Sequence, residues 1–577
     1  MASQQIANRK GKGENEMRLT LNKTRRNMAL LLSVALVGAV LGFPSAATAA
    51  DPTCTTASAV TTCTGETSDT AKYEIRVPDD FNGTLLLWSH GYTYVAKIPA
   101  QVPLLGGSGN DLRATIAPGA PDDMKMANAL LNQGYALAGS GFAVPGWNAE
   151  SAVKTNVELI GVIKKKFPTI KRTVAWGASL GGTITQRLAE TNPKLIDAAL
   201  PIMAFNNIDR VTGSNGGYGT DAVWLFKMFF DPTIKGFGYT AGPAGFGEAA
   251  ADFGKVLAAV VAIQGGLQKS GADTWPATAS LVPAAVKAAL PARSALLMIG
   301  LLSGMPLRSS SFDGVTGTPI DTSSIAAASA STSANTGFSL ALQPALAVAE
   351  NMVNIAGFAT FARYDLETQV GNKNFADNQN VDYAKKLSED ERATYNVALS
   401  GEAGIDGLLA LVAGFKQAAP LKADADALAK LKKLDTMTGQ INVPTIAFNN
   451  TEETVEFQPM MSWMIEKANA QHAAAVAAAK AKKKKAPAKK FAAFWGQPLD
   501  EYTKFNAAGP VVQSDTPGTG HVKFSFPQWM DMVRLGDMTA RLKRLPSQAI
   551  LDLTRESDPN WYPAEDFDAD TFESIGS

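Results

Sequence analysis

From Lys72 onward, short apolar runs alternate with longer amphipathic ones. Tyr73 to Val77, Gly83 to Ser89, Tyr135 to Ser140, Arg172 to Trp176 and Ala198 to Ala204 are rich enough in aliphatic, β-branched and aromatic residues to be strands. The second of them, Thr84-Leu85-Leu86-Leu87-Trp88, lacks the polar alternation of a half-exposed strand, which predicts burial on both faces. Between the runs, Asp122 to Gln133, Ala149 to Lys166 and Thr183 to Glu190 carry helical spacing. Strands alternating with helices of this length predict a mostly parallel, doubly wound α/β sheet with function at the carboxyl ends of its strands.

The pattern changes between 205 and 440. This region is alanine-rich and predicts helices, among them Ala249 to Ile263, Leu281 to Leu302 and Leu340 to Ala356, separated by Gly/Ser/Thr/Pro tracts such as Arg308 to Asn335. An insertion of that kind after one strand and before the next is expected to be a cap. Its most apolar stretch, Val223 to Phe230, is either cap core or the wall of an apolar substrate pocket. The sheet is expected to resume over 441–546, with a strand at Val443 to Phe448, a helix from Met460 to Ala481 and a last strand at Val511 to Gln513. Lys482 to Lys485 and Lys489-Lys490 read as a solvated helix end and loop, and 547–577 as an acidic tail.

The N-terminus reads as an address. Met17 to Arg26 is basic, Met28 to Phe43 is apolar, and Ala47-Thr48-Ala49 has the small-x-small form of a signal-peptidase site, so 1–49 is expected to be a signal peptide and the protein to be secreted. Arg25-Arg26 leaves the twin-arginine route open beside ordinary secretion. A stable membrane anchor is not expected, because the apolar run is short for a span. In an exported chain Cys54 and Cys63, the only two cysteines, are expected to staple an N-terminal hairpin within 50–71, contributing roughly 2 to 3 kcal/mol at most. Residues 1–50 hold seven of the 53 basic and two of the 53 acidic residues, which leaves 46 against 51, about five net negative charges. That balance gives no reason to expect a nucleic-acid partner.

Chemistry enters at Gly177-Ala178-Ser179-Leu180-Gly181, a G-x-S-x-G sequence between a strand run and a helix run. A serine there projects its hydroxyl from a strained strand-to-helix turn, and the flanking glycines leave room for so tight a bend. His90-Gly91-Tyr92 follows the early buried strand, where the N–H of Tyr92 and that of Leu180 can form an oxyanion hole. A serine nucleophile needs a base of near-neutral pKa. Of three histidines, His90 falls in the oxyanion segment and His472 in an alanine-rich helix, leaving His521 in the glycine-rich loop Gly518 to Val522. For the acid that orients the histidine, the turn after Phe448 offers Glu452, favoured by its position, with Glu453 and Asp515 as alternatives.

With these residues the chain resembles the α/β-hydrolase superfamily, and more narrowly the secreted actinobacterial-type serine hydrolases with a large helical insertion and a Gly-His-x-x-Phe-Ser/Thr segment, here Gly520 to Ser525. The resemblance covers roughly 70–204 and 440–545. It departs from the commonest pattern in offering Glu as the acid and in the lysine-rich insertion before the histidine. What it implies is hydrolysis of small-molecule or polymeric esters through an acyl-enzyme, with His521 taking the proton of Ser179 and no metal or organic cofactor. An amidase or peptidase with the same triad, and an inactive binding protein on this scaffold, stand as alternatives.

Overall fold

The computed structural model describes residues 51–577 apart from 99, 101–108, 213–216, 271–274, 313–338, 435–436, 498–503, 507–508, 513–518, 566, 573 and 575–577. The expected signal peptide and Asp515 therefore lie outside the described residues.

Nine strands form one sheet: β1 (Thr53–Ala57), β2 (Val60–Glu66), β3 (Lys72–Pro78), β4 (Thr84–Ser89), β5 (Ala136–Ser140), β6 (Arg172–Ala178), β7 (Ala198–Ile202), β8 (Thr445–Asn450) and β9 (Phe491–Gly496). Their order is β1-β2-β3-β5-β4-β6-β7-β8-β9. β1, β2 and β3 join antiparallel at one edge, and every pairing from β5 across to β9 is parallel. This is the α/β-hydrolase fold. The disulfide Cys54–Cys63 links directly paired positions of the β1–β2 hairpin.

The period-2 rule sorts the central strands onto two faces. Leu86, Trp88, Val174 and Trp176 go to one core with Trp529, Met532 and Val533 of helix Phe526–Leu542, while Leu85, Leu87, Ala136, Ala138 and Ala175 go to the other. There they meet Leu159, Ile160 and Ile163 of α2 (Ala149–Lys166) and Ile184 and Leu188 of α3 (Leu180–Thr191), α1 being the short Lys125–Leu131 on the first face. Trp88, Trp176 and Trp529 meet edge to face at 4.6–6.2 Å, an arrangement aromatic quadrupoles favour.

Between β7 and β8 the described elements are all helical. Val223 to Phe230 lies within helix Tyr218–Phe230, and its large side chains join the cap core, with none of them lining the cavity described below. The expected helix over Leu281 to Leu302 is two, Ala284–Ala289 and Ala292–Ser303, because Pro291 cannot continue the first. Pro344–Val370 is long and apolar enough to cross a membrane (mean hydropathy 1.3), but 72% of its most apolar window is buried in the protein, where the cap core uses that apolarity.

The end of the chain departs from expectation. The last strand of the sheet is Phe491–Gly496, buried at every position, whereas Gly509–Val512 pairs, among the described residues, with Lys504–Asn506 in a separate hairpin. Residues beyond 547 also enter the core. Trp561 bridges Gly496, and buried Arg555 lies 4.3 Å from the Phe494 ring while donating to the Ala493 carbonyl.

Candidate active site

β6 runs straight into α3 through Ser179, whose φ of 59° and ψ of −130° are strained for any residue with a side chain. The bend closes so tightly that a Cβ on Gly181 would stand 2.0 Å from the Ser89 carbonyl oxygen, and one on Gly177 would stand 2.5 Å from both that atom and the Gly181 oxygen. The N–H of Ser179 donates to the Ile202 carbonyl at 3.0 Å, tying the turn to β7. The end of β4 passes beside it, since a Cβ on Gly91 would be 3.3 Å from that of Ser179.

Buried Ser179 donates its hydroxyl to Glu456 Oε1 at 2.8 Å. Glu456 Oε2 lies 2.8 Å from His521 Nδ1, close but off the direction of a hydrogen bond. The same nitrogen is hydrogen-bonded to Glu453 Oε1 at 2.8 Å. Glu453 is fixed in turn by the N–H groups of Val455 (3.0 Å) and Val522 (3.1 Å), and the Tyr218 hydroxyl clamps the turn by donating to the Thr454 carbonyl at 2.7 Å. Serine, carboxylate, imidazole and a second carboxylate thus form one chain.

Burial works against a charged imidazole, but Glu456 and Glu453 outweigh it and hold His521 well above its ordinary value. Burial raises Glu456 above the ordinary carboxylate range; His521 opposes that rise, and Glu453 adds to it. His521 keeps 24% of its side-chain surface, so solvent screens part of this interaction.

The structure brings Ser179, Leu180 and Tyr92 to one cavity and His521 to Glu453, but it does not bring Glu452 to the histidine. The Glu452 side chain lines a separate polar cavity of about 590 Å³ with Arg308 and Asp570, where burial pushes it up to about 7. Its carbonyl accepts from Thr519, and its N–H donates to Asn450 Oδ1 at 3.1 Å. Adjacent residues of a tight turn diverge, so the carboxylate on His521 belongs to Glu453. Glu456 was not foreseen. The signal for it is the spacing Glu453-x-x-Glu456, which sets two carboxylates on the same side of a turn; the Asn449 amide holds this one closed by donating to the Glu456 carbonyl at 3.0 Å. His90 packs on Phe142, and burial lowers its pKa. His472 is on helix Gln458–Ala481, away from these residues.

The cavity over Ser179 has a volume of about 80 Å³. Tyr92, Trp147 and Leu180 come to it from the sheet side and Tyr218, Ile355, Phe358, Ala359 and Arg363 from the cap. Phe358 and Ala359 belong to a π-helical turn, Phe358–Ala362, and the Phe358 ring meets His521 edge-on at 5.6 Å. The Tyr92 hydroxyl is held by buried Asp365 at 3.1 Å. Leu180 opens α3, so its N–H has no partner within the helix. Glu453, Glu456 and His521 are also the one set of acid, histidine or cysteine side chains among the described residues whose donor atoms converge, within 4.8 Å, closely enough to take a metal ion. Here Glu453 is hydrogen-bonded to His521, and Glu456, 2.8 Å from the same ring, accepts from Ser179.

Several solved structures are similar at low identity. Feruloyl esterase B from Aspergillus oryzae is 12% identical, with 83% of this chain and 80% of that one covered and a TM-score of 0.31. Another Aspergillus oryzae esterase is 11% identical, covering 76% and 71%, also at 0.31. A Pyrococcus furiosus esterase is 15% identical over 28% of this chain and 55% of its own, at 0.20. No protein-family model and no curated protein matches the chain. The sheet order and the elbow define the fold.

Proposed function

We propose that the protein is an exported serine hydrolase that cleaves carboxylic esters through an acyl-enzyme. The observation that carries this reading is Ser179 on its strained elbow, with its hydroxyl hydrogen-bonded into the Glu456, His521, Glu453 chain at the edge of an apolar cavity. Glu456 receives the Ser179 proton as Oγ attacks the ester carbonyl. The N–H groups of Leu180 and Tyr92 hold the tetrahedral oxyanion. The carbon–oxygen bond to the alcohol then breaks, and the alcohol leaves with the proton from Glu456. Water then adds to the acyl carbon and gives a proton to Glu456, the bond to Ser179 Oγ breaks, and Glu456 returns the proton to Oγ as the carboxylic acid departs. His521, kept cationic by two carboxylates, steadies the charge on Glu456, and Glu453 orients the ring. This differs from direct transfer to His521, because the group on Ser179 is Glu456.

The cap residues on the cavity favour bulky or apolar esters over acetates. Export is supported by the basic and apolar runs before Ala50. The test is covalent labelling of the purified protein by a fluorophosphonate probe, with p-nitrophenyl esters as substrates and amides beside them. Ser179→Ala is expected to remove both labelling and hydrolysis. Full hydrolysis by that variant ends the serine-hydrolase reading.

A further inference from the structure

Among the residues lining the cavity over Ser179 there is one cation, Arg363. It follows the π-helical turn and is 4% exposed. Its Nη2 donates to the Thr212 carbonyl at 2.9 Å and to Thr220 Oγ1 at 2.8 Å. Nε and Nη1 are buried with no hydrogen-bond partner among the described residues. Phe237 and Phe375 stand 4.8 Å from the guanidinium carbon, and the second of these rings also lines the cavity.

No carboxylate lies within 4.0 Å of Arg363 among the described residues. Glu367, one turn further on, acts on Arg363 through its charge, but it spends its oxygens on the N–H groups of Gly238 (2.9 Å) and Tyr239 (2.7 Å) and so leaves the guanidinium nitrogens without an acceptor. Buried donors left unmet are costly, and most costly when they carry charge. A guanidinium that anchors itself through one nitrogen, leaves two unmet and lines the same apolar cavity as the nucleophile has the chemistry of a half-completed anion site.

We propose that Arg363 receives an anionic group of the substrate, so that the preferred esters carry a free carboxylate separated from the ester bond by hydrocarbon. The inference rests on the serine-hydrolase reading above and names its substrate class. The apolar walls take the hydrocarbon, Ser179 takes the ester carbonyl, and the carboxylate supplies the acceptor that Nε and Nη1 lack. Two sources share this chemistry: half-esters of dicarboxylic acids, with the anion on the acyl side, and acyl esters of hydroxy acids, with the anion on the alcohol side.

The experiment has one arm for each source. p-Nitrophenyl half-esters from succinate to suberate are compared with the same compounds capped as methyl esters at the free end; butyrate esters of ω-hydroxy acids are compared with their methyl esters in a pH-stat. The free acids are expected to exceed their capped partners in kcat/KM by about tenfold or more in one arm, mainly through KM, and Arg363→Met is expected to bring that ratio near unity. The ratio is the readout, because a general loss of folded protein lowers both rates and leaves it unchanged. Capped esters turned over as well as the acids in both arms would overturn the proposal, as would an Arg363→Met enzyme that keeps the ratio. Calorimetric binding of adipate decides independently of turnover. Saturable binding to the wild type, weaker by about tenfold in Arg363→Met or competed away by chloride where that variant does not fold, supports the site even if Ser179 proves unreactive. No adipate binding by a protein that hydrolyses neutral esters sinks the anion site and leaves the hydrolase reading standing.

Discussion

Replacing Glu456 by Gln keeps the shape of the side chain and an oxygen that can accept from Ser179, but removes the charge and the base. If Glu456 takes the serine proton, kcat should fall by the amount general-base catalysis supplies, about 10²- to 10⁴-fold, or roughly 2.7 to 5.5 kcal/mol of barrier. The same substitution should move His521. Glu456 Oε2 stands 2.8 Å from the imidazole Nδ1, close enough for its charge to favour the protonated ring, although the partial exposure of that ring lets solvent screen some of the attraction. With one of its two carboxylates neutralised, the histidine should titrate lower in the variant. The sign follows from the direction of the shift. His521 is raised in the folded protein, so the stability from its carboxylates is fully present below its unfolded value and is lost as pH rises through the folded one. Wild-type activity should therefore need Glu456 ionised on the acid side and His521 protonated on the alkaline side, giving a bell whose alkaline limb retreats in Glu456→Gln. The assay is stopped-flow hydrolysis of p-nitrophenyl butyrate against pH, with the imidazole Cε1 proton followed by NMR and assigned by His521→Asn. A variant that keeps kcat within about threefold and an unmoved alkaline limb would refute the reasoning, and His521 would then be the base acting directly.

Glu453→Gln should lower kcat by about 10² to 10⁴ by freeing the imidazole, while Glu452→Gln should stay near wild type at neutral pH; matched circular dichroism makes the comparison fair. Gly181→Ala would place a methyl 2.0 Å from a carbonyl oxygen, and should cost at least about 3 kcal/mol in urea denaturation, with activity lost along with the elbow. Phe358→Ala opens the cap side of the cavity, and should shift kcat/KM toward longer or bulkier acyl groups across a p-nitrophenyl series; an unchanged chain-length profile would show that this ring does not select substrate.

Much of this arrangement is legible in the sequence because backbone geometry demands particular residues. The elbow needs Gly177 and Gly181, and a doubly buried strand needs a run such as Leu85 to Trp88. The acid is a different matter. Residues 452 and 453 are chemically identical, and only the turn, closed by Asn449 and Tyr218, decides which faces the histidine. Glu456 is not legible in the sequence because a second carboxylate on the same imidazole is not part of the usual serine-base-acid set. Phe491 to Gly496 is apolar enough to be recognised as a strand, but it directly follows a lysine run that draws attention to solvent. The break at Pro291, by contrast, could have been read from the proline itself.

The order of elements has a consequence for how the molecule comes into being. Ser179 and its elbow precede the helical insertion, whereas Glu453, Glu456 and His521 follow it, as does helix Phe526–Leu542, whose Trp529 closes over Trp88 and Trp176. A ribosome thus releases the nucleophile hundreds of residues before the carboxylates and imidazole that serve it, and one face of the sheet, with only the short α1 packed on it, stays partly uncovered in the meantime. Contacts at such sequence separation form slowly and leave apolar surface exposed while they wait. Hydrolytic competence arrives only in the last stage of folding, so a chain arrested before residue 526 should be recovered as an inert, chaperone-bound species.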